Sequence, residues 1–120
     1  VTLKTRLAVA FLAACLLTVG LLMVLSKSAA AARPAVPPPV FKAVRAYWKT
    51  APQRIQAFDV IACETGGAYN TNARNGQYLG MFQMGAWARA KYGHGSTARA
   101  QARAAYMYWL DSGWSGWACA

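Results

Sequence analysis

The longest apolar run in the chain, Leu7 to Leu25, is interrupted only by Thr18 and Gly20 and is preceded by Lys4 and Arg6. Ser26, Lys27 and the small-residue run Ser28-Ala29-Ala30-Ala31-Ala32 follow it. A basic start, an apolar middle and A-x-A cleavage options describe a secretory signal peptide over residues 1–32. The run is also long enough to cross a bilayer, so an uncleaved anchor at residues 7–25 is the alternative. In either case the remainder is expected outside the cytoplasmic membrane. Cys15 counts as a small apolar residue of this segment.

The pattern then changes twice. Arg33 to Pro39 is proline-rich and favours an extended spacer. From Val40, the positions Val40, Val44, Tyr47 and Trp48 share one helical face, with Lys42, Arg45 and Lys49 elsewhere. This predicts a short amphipathic helix, packed on a domain or lying on an anionic surface, within an approach segment of residues 33–52.

Thr50-Ala51-Pro52-Gln53 has the form of a capping box. It predicts a helix to about Thr65 with Ile55, Phe58, Ile61 and Ala62 inward, ended by Gly66-Gly67. Asn75-Gly76 is the expected hairpin turn, with Tyr78 and Leu79 on the return strand. A short helix from Gly85 to Tyr92 carries Trp87, and Gly93-His94-Gly95 breaks it. Ser96 is the expected cap of a last helix to about Asp111, with Ala98, Ala102, Ala105, Tyr106 and Trp109 inward. Gly113 stops that helix, and Trp114 and Trp117 flank a turn before Cys119. The class is mainly α with a small hairpin (α+β), in one domain over residues 53–120.

A core of about 70 residues is marginal on hydrophobic burial alone, so a staple is expected. In an exported domain of this size Cys63 and Cys119 are better suited to a disulfide than to a thiol site. Closing that loop would stabilise the fold by about 4 kcal/mol. The one histidine, His94, sits in a glycine loop and is expected to be exposed. With three acids beside it, a zinc site is disfavoured, and neither a metal nor a cofactor is expected.

Net charge is +10, and about +7 remains when residues 1–32 are set aside. Such a surplus favours anionic partners. The basic residues are dispersed (Lys42, Arg54, Arg74, Arg89, Arg103), which argues against a cationic membrane-active or nucleic-acid-binding protein.

Glu64, the only glutamate, falls in the last turn of an apolar helix. Tyr69, Tyr78, Trp87, Trp114 and Trp117 are available as walls around it. A carboxyl set against aromatics loses hydration, which raises its pKa towards the value a general acid needs; the handling of one carboxyl in lysozyme follows the same logic. Aromatic faces also suit sugars, and Asn70, Asn72, Asn75, Gln77 and Gln83 could bind hydroxyls. Ordinary glycosidases use two carboxylates. Asp59 is on a different helix face from Glu64 and Asp111 ends the last helix, so a one-carboxylate mechanism is favoured.

Ile61-Ala62-Cys63-Glu64-Thr65-Gly66-Gly67 resembles the A-x-C-E-S-G-G signature of the resuscitation-promoting-factor and transglycosylase-like domains of actinobacteria and their phages. Tyr78-Leu79-Gly80-Met81-Phe82-Gln83 resembles that family's Y-x-G-G-L-Q-F segment, and Trp87 its following tryptophan. Ser112 to Cys119 is similar to its closing Q-G-W-G-A-W-x-x-C. Met81 and Met84 depart from the pattern, as does Phe58, and the loop around His94 is short.

The resemblance covers about residues 55–120. It implies a small lysozyme-like fold, a Cys63–Cys119 disulfide and Glu64 as the sole catalytic acid. The substrate it implies is peptidoglycan, cut between N-acetylmuramic acid and N-acetylglucosamine with closure of a 1,6-anhydro ring. Tyr69, Asn70, Tyr78, Gln83, Trp87, Trp114 and Trp117 are the expected substrate-binding residues. The protein is expected to act as a monomer at the cell wall, with other wall enzymes as further partners and membrane contact only through the N-terminal segment. A muramidase and a weakly active wall-binding module are the alternatives.

Overall fold

The computed structural model describes residues 35–120; the expected export segment, with Cys15 and the alternative anchor at 7–25, lies outside the described residues. The described residues form one compact unit with its own core and its own disulfide. Its elements are α1 (Pro38–Tyr47), α2 (Ala51–Glu64), β1 (Arg74–Asn75), β2 (Tyr78–Leu79), α3 (Ala86–Tyr92) and α4 (Ala98–Ser112), with a closing 3-10 helix over Gly113–Gly116. The expected class, mainly helical with one two-stranded antiparallel hairpin and one disulfide, is what the structure shows.

Helix α1 begins at Pro38, inside the stretch expected to be an extended spacer. Prolines in the first turn cost little, because the N–H groups they lack have no helical acceptor. Val40, Ala43 and Val44 face inward, and Trp48, one residue past the end of α1, is fully buried. This helix packs along α4. It is thus part of the core, which extends upstream of the boundary expected at residue 53.

The capping box of α2 forms as its sequence predicts. Thr50 Oγ1 accepts from Gln53 N–H, and Gln53 Oε1 accepts from Thr50 N–H, both at 3.4 Å. The inward face differs from expectation. Ala57, Val60 and Ile61 are buried, whereas Ile55 is 56% exposed and Phe58 and Ala62 are half-buried. The buried stripe is therefore Ala57, Val60 and Ile61, rotated from the expected one.

The hairpin pairs Asn75 with Tyr78 and Arg74 with Leu79, so its two turn residues are Gly76 and Gln77, one position later than expected. Gly76 supplies the left-handed conformation, at φ +58°. Met81, Phe82 and Met84 then enter the core. Thr97, rather than Ser96, caps α4, its Oγ1 accepting from Ala100 N–H at 3.1 Å. Gln101 is buried on α4 with its amide satisfied on both sides: Oε1 accepts from Met81 N–H at 2.9 Å, and Nε2 donates to Thr71 O and Gly95 O at 2.9 and 2.8 Å. One side chain thereby ties three loops to the last helix.

Trp48 is the centre of an aromatic cluster. Its ring lies 5.6 Å from Phe82, 5.3 Å from Tyr106, 6.2 Å from Trp109 and 5.7 Å from Trp114. These partners come from three separate stretches of chain, so one indole joins the end of α1 to the segment after β2, to α4 and to the closing 3-10 helix. Truncation to alanine is expected to cost about 3–5 kcal/mol. Urea denaturation of Trp48→Ala against the parent checks this; a loss under about 1 kcal/mol would contradict the assigned role.

Candidate active site

Glu64 is the last residue of α2, and it follows Ala57, Val60 and Ile61 on the same helical stripe. Its carboxyl therefore emerges where the core-facing side of the helix runs out. It is half-buried, and burial raises its pKa above the ordinary 4.5. The negative end of the helix dipole acts in the same sense. Among the described residues this carboxyl makes no hydrogen bond or ion pair that would hold it ionised.

The helix ends as its glycines predict, with Gly66 and Gly67 at φ +62° and +84°. Gly67 N–H donates to Ala62 O at 2.7 Å. Thr65 Oγ1 accepts from Tyr69 N–H at 2.9 Å and donates to Ile61 O at 2.8 Å, which fixes the exit path of the chain. One residue before Glu64, Cys63 is bonded to Cys119, with a Cα–Cα distance of 5.9 Å.

This bridge sets the C-terminal turn beside the carboxyl. A cavity of about 320 Å³ is lined by Glu64, Asn75, Tyr78, Gln83, Gly116, Trp117 and Ala118. A second, of about 230 Å³, continues past Met84 to Trp87, Ala88 and Tyr108. The two share Tyr78, Gln83, Gly116 and Trp117, so they form one groove running from Glu64 to Trp87.

The walls are held firmly. Trp117 is 6% exposed, its indole N–H donates to Phe82 O at 2.9 Å, and its ring packs 4.8 Å from Tyr108. Gln83 adopts φ +47°, uncommon for a residue other than glycine, and its Nε2 donates to Ala73 O and Gly80 O. It therefore frames the groove with both amide hydrogens already engaged. At Gly116 a Cβ would come within 2.7 Å of Tyr108 Cε1, so the backbone here must be bare for Tyr108 to pack. Tyr78 and Trp87 project more freely, at 46% and 63% exposed.

Of the expected binding residues, Tyr78, Gln83, Trp87 and Trp117 thus meet at the groove, whereas Tyr69, Asn70 and Trp114 line neither cavity. Tyr69 is buried in the core at φ +51°. Asn70 accepts from Asn72 N–H at 2.8 Å in a local turn. Trp114 stacks on Trp48, its ring committed to covering the core. Gly116, Ala118 and Tyr108 belong to the groove but carried no chemical signal in sequence; only the tight sequence Ser115-Gly116-Trp117 hinted at the first.

Neither other acid lines the groove. Asp111 accepts from Tyr92 Oη at 2.7 Å and lies 3.8 Å from Lys91. His94 is half-buried instead of exposed, and burial lowers its pKa. It lines a different cavity, with Arg74, Ser96 and Gln101 among its neighbours, that shares no residue with the Glu64 cavity. Among the described residues no three His, Cys, Asp or Glu side chains gather as metal ligands would.

No protein-family model, curated protein or solved structure matches the chain.

Because the folded-state pKa of Glu64 is raised, the folded protein holds this proton more tightly than the unfolded chain does. Its stabilising contribution is present below the unfolded value and is lost as pH rises through the folded value. Glu64→Gln, which stays neutral, is therefore expected to melt at or above the parent at pH 7 and level with it at pH 4. Paired melting curves test this; a variant that loses stability at pH 7 but not at pH 4 would contradict it.

Proposed function

We propose that this protein cleaves peptidoglycan glycan strands between N-acetylmuramic acid and N-acetylglucosamine, as a lytic transglycosylase with Glu64 as its single catalytic carboxyl group. The observation that carries the proposal is the convergence of three segments at one groove. The segment around Glu64 and Cys63, the segment with Tyr78 and Gln83, and the closing segment with Trp117 and Cys119 are far apart in sequence. They are the segments that resemble the transglycosylase-like family, and all three contribute to the walls around Glu64.

The chemistry suits those walls. An elongated groove with exposed Tyr78 and Trp87 offers faces on which sugar rings stack. Glu64, kept from full hydration, remains an acid to higher pH than a free glutamate. It donates its proton to the bridging glycosidic oxygen as the C1–O bond of the muramyl residue breaks. The muramyl C6 hydroxyl then bonds to C1, and its proton passes to the Glu64 carboxylate. The acid is regenerated and no water is consumed. A hydrolase of the ordinary kind would need a second carboxylate across the bond, and Asp59 and Asp111 line neither part of the groove. A stable disulfide fits an oxidising compartment, which supports action outside the cell at the wall.

Mass spectrometry of purified peptidoglycan after incubation with the protein tests the proposal, beside Glu64→Gln. The expected products are 1,6-anhydromuropeptides from the parent only, a rate loss of at least about 100-fold in the variant, and a rate that falls as pH rises through the raised Glu64 pKa. Reducing-end muropeptides would make the protein a muramidase. Absence of any Glu64-dependent product would leave a wall-binding module.

A further inference from the structure

The first acidic residue in the chain is Asp59, and between Pro34 and Phe58 four cations stand without an acid among them: Lys42, Arg45, Lys49 and Arg54. Lys49 and Arg54 lie at the junction of α1 and α2. Lys42 and Arg45 lie on the side of α1 opposite the buried Val40, Ala43 and Val44. Arg54 Nη1 donates to Lys49 O at 2.6 Å, which fixes the two residues together at the helix junction.

Large apolar side chains are exposed on the same two helices, with the acid Asp59 a turn after Ile55 on α2. Phe41 is 41% exposed, stacks on Phe58 with the rings 5.8 Å apart and 6° from parallel, and has the Arg45 guanidinium 5.9 Å from its centroid. Ile55, one turn before Phe58 on α2, is 56% exposed. A polyanion in solution would use the cations and gain nothing from Phe41 and Ile55. The headgroup region of an anionic bilayer uses both.

We propose that this α1–α2 corner is a docking face for an anionic lipid bilayer, with Phe41 and Ile55 entering the interface and Lys42, Arg45, Lys49 and Arg54 among the headgroups. The surface is independent of the reaction assigned to Glu64. Ile55 and Glu64 are nine residues apart on α2, half a turn round and about 13 Å along the axis. Docking therefore leaves the groove open. The twelve residues from Ser26 to Pro37 span at most about 40 Å, so a bilayer that held residues 7–25 would lie within reach of α1. Each cation near such a surface strengthens binding about fivefold.

The full chain bound to vesicles gives the test, by acetylation with a membrane-impermeant reagent and mass spectrometry. Lys91, against Trp87 and Tyr92 on α3, is the internal control. On phosphatidylglycerol vesicles the ratio of Lys42 to Lys91 modification is expected to fall about fivefold or more relative to phosphatidylcholine vesicles. Phe41→Ser with Ile55→Ser, both surface changes, is expected to restore it. An equal ratio on the two vesicle types overturns the proposal. Equal protection by soluble polyphosphate, unaffected by the two serine changes, also overturns it and makes the corner a polyanion contact.

Discussion

The covalent bond between Cys63 and Cys119 joins the end of α2 to the end of the described chain across a separation of 56 residues. Glu64 follows one of its cysteines directly, and Trp117 precedes the other by two positions. A link this close to both leaves the carboxyl and the indole little freedom to part. Without it, the groove would depend on a short C-terminal turn held by ring contacts and a few hydrogen bonds. Short irregular segments with few buried contacts open locally more readily than packed helices. The bridge thus stabilises the domain and, in the same place, fixes the geometry on which the assigned acid depends.

The C-terminal segment then acts in two directions. Trp114 turns inward and stacks on Trp48, closing the aromatic core shared by α1, the segment after β2 and α4. Trp117 donates its indole N–H to Phe82 O and lines the groove. Since Phe82 also packs on Trp48, the groove wall and the core are one continuous aromatic assembly. Movement of the wall would disturb the core, which is how a domain this small keeps a rigid site without a large interior.

Much of this was legible in the sequence, for identifiable reasons. Capping chemistry and glycine punctuation act over four or five residues, so Thr50, Gly66-Gly67 and Gly113 marked helix ends correctly. The hairpin was found from Asn75-Gly76, although its register moved by one because cross-strand pairing, and not the dipeptide alone, decides which residues turn. Tertiary packing was less legible. The inward stripe of α2 runs through Ala57, Val60 and Ile61, whereas hydrophobicity alone pointed to Ile55. The prolines before α1 suggested a spacer, yet two of them start a helix whose next turn enters the core. At the groove, residues with chemistry in their side chains could be nominated, and Tyr78, Gln83, Trp87 and Trp117 met there. Trp114 and Tyr69 carry the same chemical signature, and only the fold distinguishes a ring that walls a groove from one that fills a core. Gly116 matters for what it lacks, which leaves little trace in a sequence.

Carbon-13 NMR titration of the Glu64 side-chain carboxyl, in the bridged protein and in Cys63→Ser with Cys119→Ser, tests the central physical claim most directly. The account expects a Glu64 pKa above 4.5 in the bridged protein, moving towards that ordinary value when the bridge is removed and the Trp117 wall can part from the carboxyl. A value at 4.5 with the bridge intact, or one that stays equally raised without it, would contradict the claim that the disulfide creates the environment of the acid.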